Sequence, residues 1–451
     1  MSKNFTEIEN TLFKNFRDLS FVDLKHEKDT NSDINDFTKL RFYEEARLVK
    51  ILEEDFSLKN YYDIFDNEEE LKNVQNSMLS KGVKLNKVIA PRLYQICNAV
   101  KQKLNYNEEI DFYIVHDVYF NAFSINGFGY VPHMIALTSS LVQNFSDEEL
   151  AFVIGHEIGH LIFRHSQINI VAFRLSSSSN QKMPTEVRNT IIRWSKYGEI
   201  SCDRIGYIVQ PNLETVGKVF FKLASGLSEE HLKFDIHEYL KQLDHLKDMP
   251  KNQFFTSHPN NLVRLKCLDL FAKSELYTDC KTQPISIESL KKETCEVLNL
   301  LEYHPRNDDQ KKAVEFFASV GMYICCADKT FNAKESELIY EALSRYTSQP
   351  EQYLRFKDSK ELIERKNAIC AYYAEQKNDF KYRLYEDIVF ISICDGKLDE
   401  LEKLALYEIA ERLHIEEKRA RQVIAWFVDK YLDITLGRAD RAICDNSPIH
   451  L

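Results

Sequence analysis

Apolar and polar positions divide the chain into three stretches that read differently. Residues 1 to about 75 look helical and strongly charged, with acidic clusters at Glu53-Glu54-Asp55 and Asn67-Glu68-Glu69-Glu70. A solvated helical face explains such clusters; an inhibitory or docking segment packed near a functional site is the sharper reading. Further on, Asp111-Phe112-Tyr113-Ile114-Val115 and His133-Met134-Ile135-Ala136-Leu137-Thr138 are runs of strand formers. Asn126-Gly127 and Gly129 lie between them, as in a hairpin or a small sheet. Ser146-Asp147-Glu148-Glu149 is an S-x-x-E capping box in front of the apolar run that begins at Ala151. It predicts a helix starting near Asp147. A polar, serine-rich loop follows at Arg174 to Gln181, and Met183-Pro184-Thr185-Glu186 opens a second long helix through Trp194 to about Val209.

From about Leu290 the chain becomes a run of helices with an internal echo. Ala327-Asp328-Lys329-Thr330-Phe331-Asn332-Ala333-Lys334-Glu335 resembles Cys394-Asp395-Gly396-Lys397-Leu398-Asp399-Glu400-Leu401-Glu402. In both copies Asp is followed seven residues later by Glu, with Asn or Asp at the fourth step. Two copies are too few for a solenoid, so they read as one duplicated helical domain.

Composition fits this picture. At 451 residues the chain is too long for one ordinary domain, and 44% hydrophobic content fills complete cores. Only 12 glycines and 10 prolines interrupt it, so helix should dominate. A net charge of −11 argues against general nucleic-acid binding, which wants a basic surface. The 10 cysteines are scattered without a CxxC pair, which reads as reduced cytoplasmic thiols rather than a disulfide frame or a cysteine zinc site. The first dozen residues are polar and acidic, and no stretch of 18 residues is continuously apolar. The expectation is a cytoplasmic chain with no transmembrane segment.

The candidate chemistry lies in the predicted helix after Ser146. His156-Glu157-Ile158-Gly159-His160 reads HExxH. Four-residue spacing on a helix puts both imidazoles on one face, one turn apart, where they can grip one metal ion. Glu157, beside the first ligand, is placed to take a proton from water at that metal. A buried helix whose histidines merely find hydrogen bonds is the plainer alternative. A catalytic zinc usually takes three protein ligands. His165 is five residues after His160, and on a continuing helix it would point well away from it, so it reads as structural or supporting. Glu199, on the next long helix, is the better third ligand. Asp203, one turn later on the same face, can orient a histidine ligand through its other ring nitrogen.

In order along the chain, HEIGH, then Glu199-Ile200-Ser201-Cys202-Asp203, then Ser257-His258-Pro259 with Arg264 resemble the HtpX-like and CAAX-prenyl-protease family of gluzincin zinc peptidases. Asn121-Ala122-Phe123 is similar to that family's NAF segment, and the resemblance runs from about residue 85 to 275. It implies one zinc ion per chain on His156, His160 and Glu199, with Glu157 as general base. Asp203 would support a ligand, and Arg264 would be a nearby structural or polarising residue. His258 would help to stabilise the oxyanion. Asn121, Ala122 and Phe123 would form the segment facing a peptide or protein substrate. Many members of that family carry transmembrane helices and this chain offers no candidate, so it looks like a soluble branch.

The C-terminal helices resemble the TerB-like (tellurite-resistance B) domain over about residues 305 to 435, mainly through the second acidic copy. That resemblance suggests a divalent cation at Asp328, Glu335, Asp395, Asp399 and Glu402, whose carboxylates suit hard cations. Helix capping with a solvated acidic loop is the competing reading. The expected architecture is α+β and mainly α: an N-terminal helical segment over 1–80, a zincin-type metallopeptidase domain with a small sheet over 81–285, and an all-α TerB-like domain over 286–451. The expected function is a soluble zinc endopeptidase that the last domain regulates or targets through a protein partner. The alternative is a catalytically silent adaptor presenting that domain to a partner; an intact Glu157 beside three ligands argues for the enzyme.

Overall fold

The computed structural model describes residues 37–55, 68–170, 185–228, 230–231, 233–248, 260–277, 284–327, 333–376, 379–394 and 396–432. It is mainly helical with one small sheet, and the chain divides between residues 302 and 303 into two compact units.

The first unit holds the sheet, in the order β1-β2-β4-β3. Its strands are β1 (Gly82–Lys84), β2 (Ile110–Val115), β3 (Ala122–Ile125) and β4 (His133–Thr138). The two strand-former runs of the sequence do not pair as a hairpin. β2 lies parallel to β4, with Phe112 opposite Ile135, and the hairpin is instead β3–β4, with Phe123 opposite Ala136. β3 escapes a pattern search because it is four residues long and half-buried throughout, with no alternation to read. β4 is apolar on both faces because both are covered. Ile135 and Leu137 face the main core with Phe112, whereas Met134 and Ala136 pack with Tyr113 and Leu71.

Around the sheet lie α1 (Tyr43–Lys50), α2 (Glu68–Lys81), α3 (Pro91–Lys103), α4 (Asp147–Ile162), α5 (Thr185–Val209), α6 (Leu213–Ser225), α7 (Asn261–Ala272) and α8 (Ile287–Leu298). The capping box at the start of α4 is formed in full: Ser146 accepts from the Glu149 amide, and the Glu149 carboxylate accepts from the Ser146 amide. Lys222 reaches the same carboxylate at 2.7 Å. α4 and α5 pack along their lengths, and glycine lets them approach. A Cβ on Gly159 would stand 3.0 Å from the Cys202 Cα, and one on Gly206 would stand 2.9 Å from the Phe152 carbonyl oxygen.

Two flanking segments join this core. Phe42, Leu48 and Leu52 bring residues 37–55 into it, and Leu290, Leu298 and Leu301 bring in α8 and the turn after it. Residues 286–302, which sequence reading groups with the C-terminal helices, therefore pack with the first unit.

Among its described residues the second unit is helical: α9 (Asp308–Cys325), α10 (Ala333–Leu343), α11 (Ser359–Glu375), α12 (Phe380–Ile393), α13 (Glu400–Arg412) and α14 (Glu417–Leu432). Inside its apolar core, the Lys366 ammonium meets the Glu408 carboxylate at 2.8 Å, and the Tyr323 hydroxyl donates to the same carboxylate at 2.5 Å. α9, α11 and α13 are thereby joined. Asp399 caps α13 in a second capping box with Glu402, so two of the suggested cation ligands are already occupied as helix caps. Glu335 is buried, and Asp328 and Asp395 lie outside the described residues. No disulfide joins the described cysteines. Among the described residues, no helix is long and apolar enough to cross a membrane.

Candidate metal centre

α4 and α5 bring three donors together from two sides. The Nε2 atoms of His156 and His160 are 3.1 Å apart. Glu199 places its carboxylate oxygens 3.5 Å from His156 Nε2 and 3.3 Å from His160 Nε2. Zinc with nitrogen and oxygen ligands at about 2.0–2.2 Å in tetrahedral geometry separates its ligand atoms by roughly 3.3 Å. The three donors fit that ion. Glu157, next to His156, is buried in the same helix.

Behind these donors lie Asp203 and Arg264. Asp203 Oδ1 is 2.9 Å from His156 Nδ1, the ring nitrogen pointing away from the donor cluster. Arg264, from α7, donates through Nε to Asp203 Oδ2 at 2.8 Å and through Nη2 to Oδ1 at 2.6 Å. Its Nη1 lies 3.2 Å from Glu199, and its guanidinium stacks 4.8 Å from the centre of the Phe220 ring. Arg264 thus holds both acidic residues of α5. Burial opposes ionisation of Asp203, but Arg264 outweighs it and holds the carboxyl below its ordinary value. Burial also opposes the charged form of His156, yet Asp203 and Glu199 overcome it and raise the ring to about 10. The two carboxylates thus make the surroundings of this ring favourable to positive charge.

The helix does not continue to His165. It ends at Ile162, Arg164 takes a left-handed conformation at φ 56°, and helical structure resumes at His165. This turn folds His165 back onto the ring it was expected to avoid: its Nδ1 lies 2.8 Å from His160 Nδ1. Its Nε2 lies 2.9 Å from Glu45 of α1. His160, His165 and Cys202 make a second donor cluster, but 2.8 Å is a hydrogen-bond length, and burial pushes the Cys202 thiol well above its ordinary value. Glu45 is the residue sequence reasoning missed. It lies 120 positions before His165 in a charged segment, where no local spacing distinguishes it.

The substrate-facing candidates divide. Ala122 and Phe123 belong to edge strand β3, and Asn121 precedes it, its carbonyl accepting from the Thr138 amide at 3.0 Å. The Asn121 side chain is exposed. Past the end of β3, Asn126 donates to the Leu161 carbonyl at 2.9 Å and ties this edge to the end of α4. His258, with Ser257 and Pro259, lies outside the described residues.

Part of the chain is similar to known proteins. Residues 89–271 match the family described as Peptidase family M48. The chain is 24% identical over 186 residues to the plastoglobule-localized metallopeptidase 48, chloroplastic, of Arabidopsis thaliana, covering 38% of this chain and 54% of that protein. It is 38% identical over 68 residues to a protease HtpX homolog of Helicobacter acinonychis (strain Sheeba), covering 15% of this chain and 20% of that protein. The chain therefore spans about half the length of the first relative and a fifth of the second. No solved structure matches. Residues 89–271 are thus similar to Peptidase family M48, and His156, His160 and Glu199 all lie within that stretch.

Proposed function

We propose that the chain is a zinc-dependent endopeptidase whose metal is held by His156, His160 and Glu199. The observation that carries this reading is the convergence of three donor atoms at 3.1–3.5 Å on two packed helices. When bound, zinc supplies Lewis acidity, which acidifies water and polarises a carbonyl oxygen. Glu157 acts as general base and removes the proton of the attacking water. It then returns that proton to the leaving amine. Asp203 and Arg264 keep His156 and Glu199 oriented, so neither ligand has to reorganise during turnover. His258 donates to the developing oxyanion, a role that rests on the family resemblance. β3 is the sheet edge next to α4, and an extended peptide adds to it as a further strand, with Asn121, Ala122 and Phe123 along its backbone. The helical unit, TerB-like in its acidic loops, recruits substrate or controls access and takes no part in the chemistry.

The test is elemental analysis and cleavage of an unfolded casein by the purified chain. It should hold one zinc and cut. His160→Ala should lose the metal. Glu157→Gln should keep metal and fold but lose cleavage by orders of magnitude, since an amide of nearly the same shape cannot accept the proton. Undiminished zinc in His160→Ala, or undiminished turnover in Glu157→Gln, removes the residue concerned from its assigned role.

A further inference from the structure

The contacts of His165 extend the metal site beyond the stretch that matches the M48 family. A histidine that offers Nε2 to a metal carries its proton on Nδ1. For His160 that proton points at His165 Nδ1, 2.8 Å away. His165 Nδ1 must then accept, so its own proton sits on Nε2, aimed at Glu45 Oε1 at 2.9 Å. The chain of donors ends on a group that only accepts. Arg41 secures this end by donating twice to the same Oε1, at 2.9 Å and 2.7 Å. Ser201, two positions after Glu199 on α5, donates to Glu45 Oε2, and the Phe42 amide donates to Ser201 at 2.9 Å. Every buried polar atom along the path has a partner, and the order of protons is consistent in one direction.

Packing restricts the rings as well. His165 stands edge-on to Trp194, with ring centres 5.3 Å apart, and lies stacked on Phe163 at 5.7 Å. Arg204 of α5 donates to the Leu40 carbonyl at 3.0 Å and fixes the start of α1. Glu45 and His165 are both buried, so water does not compete for these bonds.

We propose that Glu45, through His165, is a positioning residue for the metal: it fixes the His160 tautomer that leaves Nε2 free for zinc and raises the basicity of that ligand. α1, outside residues 89–271, thereby becomes a structural part of the metal centre. The two histidine ligands have parallel supports of different origin, Asp203 directly behind His156 and Glu45 behind His160 through an intervening ring. The proposal rests on the zinc assignment above.

The experiment is zinc titration of the full chain against a chromogenic chelator, with circular dichroism confirming fold, for the parent, His165→Phe, Glu45→Gln and His160→Ala. His165→Phe keeps an aromatic ring beside Trp194 and removes the acceptor. Its zinc Kd should rise by roughly 10–100-fold. Glu45→Gln keeps shape and removes the charge, and should raise Kd by about tenfold. Nitrogen-15 spectra of the metal-free chain should show His160 as the Nδ1–H tautomer in the parent and as a tautomer mixture in Glu45→Gln. A purely structural Glu45 would change the melting temperature and leave Kd and tautomer alone. If His160→Ala loses zinc while folded His165→Phe and Glu45→Gln both bind within twofold of the parent, the relay is wrong and the zinc site stands. If His160→Ala also binds like the parent, the zinc assignment falls and the relay with it. Should His165→Phe not fold, Glu45→Gln decides alone.

Discussion

Asp387 lies in α12 with 3% of its surface exposed. Burial pushes its carboxyl up to about 7; Arg345 opposes the shift and Glu386 adds to it. A carboxyl raised in the folded state binds its proton more tightly there than in the unfolded chain. The helical unit should therefore be most stable below about pH 4 with respect to this group, and should lose stability as pH rises towards 7. At pH 8 the ionised group opposes folding by up to on the order of 4 kcal/mol. Asp387→Asn should raise the melting temperature at pH 8 and do much less at pH 4.5. An equal effect at both values would place the burden on shape rather than charge. Asp203 shows the opposite outcome, because a guanidinium lies against it with two hydrogen bonds. The convergence of these side chains was legible where they share a short spacing, as in the two histidines or in Glu199 and Asp203. Glu45 was not, because an acidic residue in an acidic segment looks solvated until the fold buries it.

The element that matters most is the α4–α5 pair, since α4 carries two donors and α5 the third. Their separation is set where Gly159 faces Cys202 and where Gly206 faces Phe152. A methyl group on Gly206 meets backbone, so the helices must move apart rather than a side chain turn aside. Gly206→Ala should cost about 1–3 kcal/mol of stability and weaken zinc retention at the same time. Thermal melting and chelator competition read the two effects; a fall in stability alone would mean that the donors tolerate the shift. Helix α4 was legible from its capping box and apolar run, and α5 from its opening proline and length. The pairing of β2 with β4 was not, because alternation marks a strand and its faces but not the partner it selects. The turn at Arg164 carries no glycine to announce it, and the contact of His165 with His160 depends on that turn.

At the scale of the molecule, the division between residues 302 and 303 locates a cut that should leave the cluster of His156, His160 and Glu199 intact. Leu290, Leu298 and Leu301 belong to the core of the first unit. A chain ending at Glu302 should fold, bind zinc and cleave unfolded casein. One ending at 285 should melt at a lower temperature, having lost three buried leucines worth about 1.5–3 kcal/mol each. If the longer fragment folds and holds zinc but cuts nothing, the helical unit is part of the catalytic machinery. The split of donors between α4 and α5 has a consequence for the cell that makes this chain. During synthesis the HExxH histidines leave the ribosome well before Glu199, and Arg264 later still. A nascent or half-collapsed chain offers two imidazoles and no third donor. Under the function proposed above, cutting therefore waits for α4 and α5 to dock, and the HExxH stretch alone is no hazard to its neighbours or to the chain that carries it.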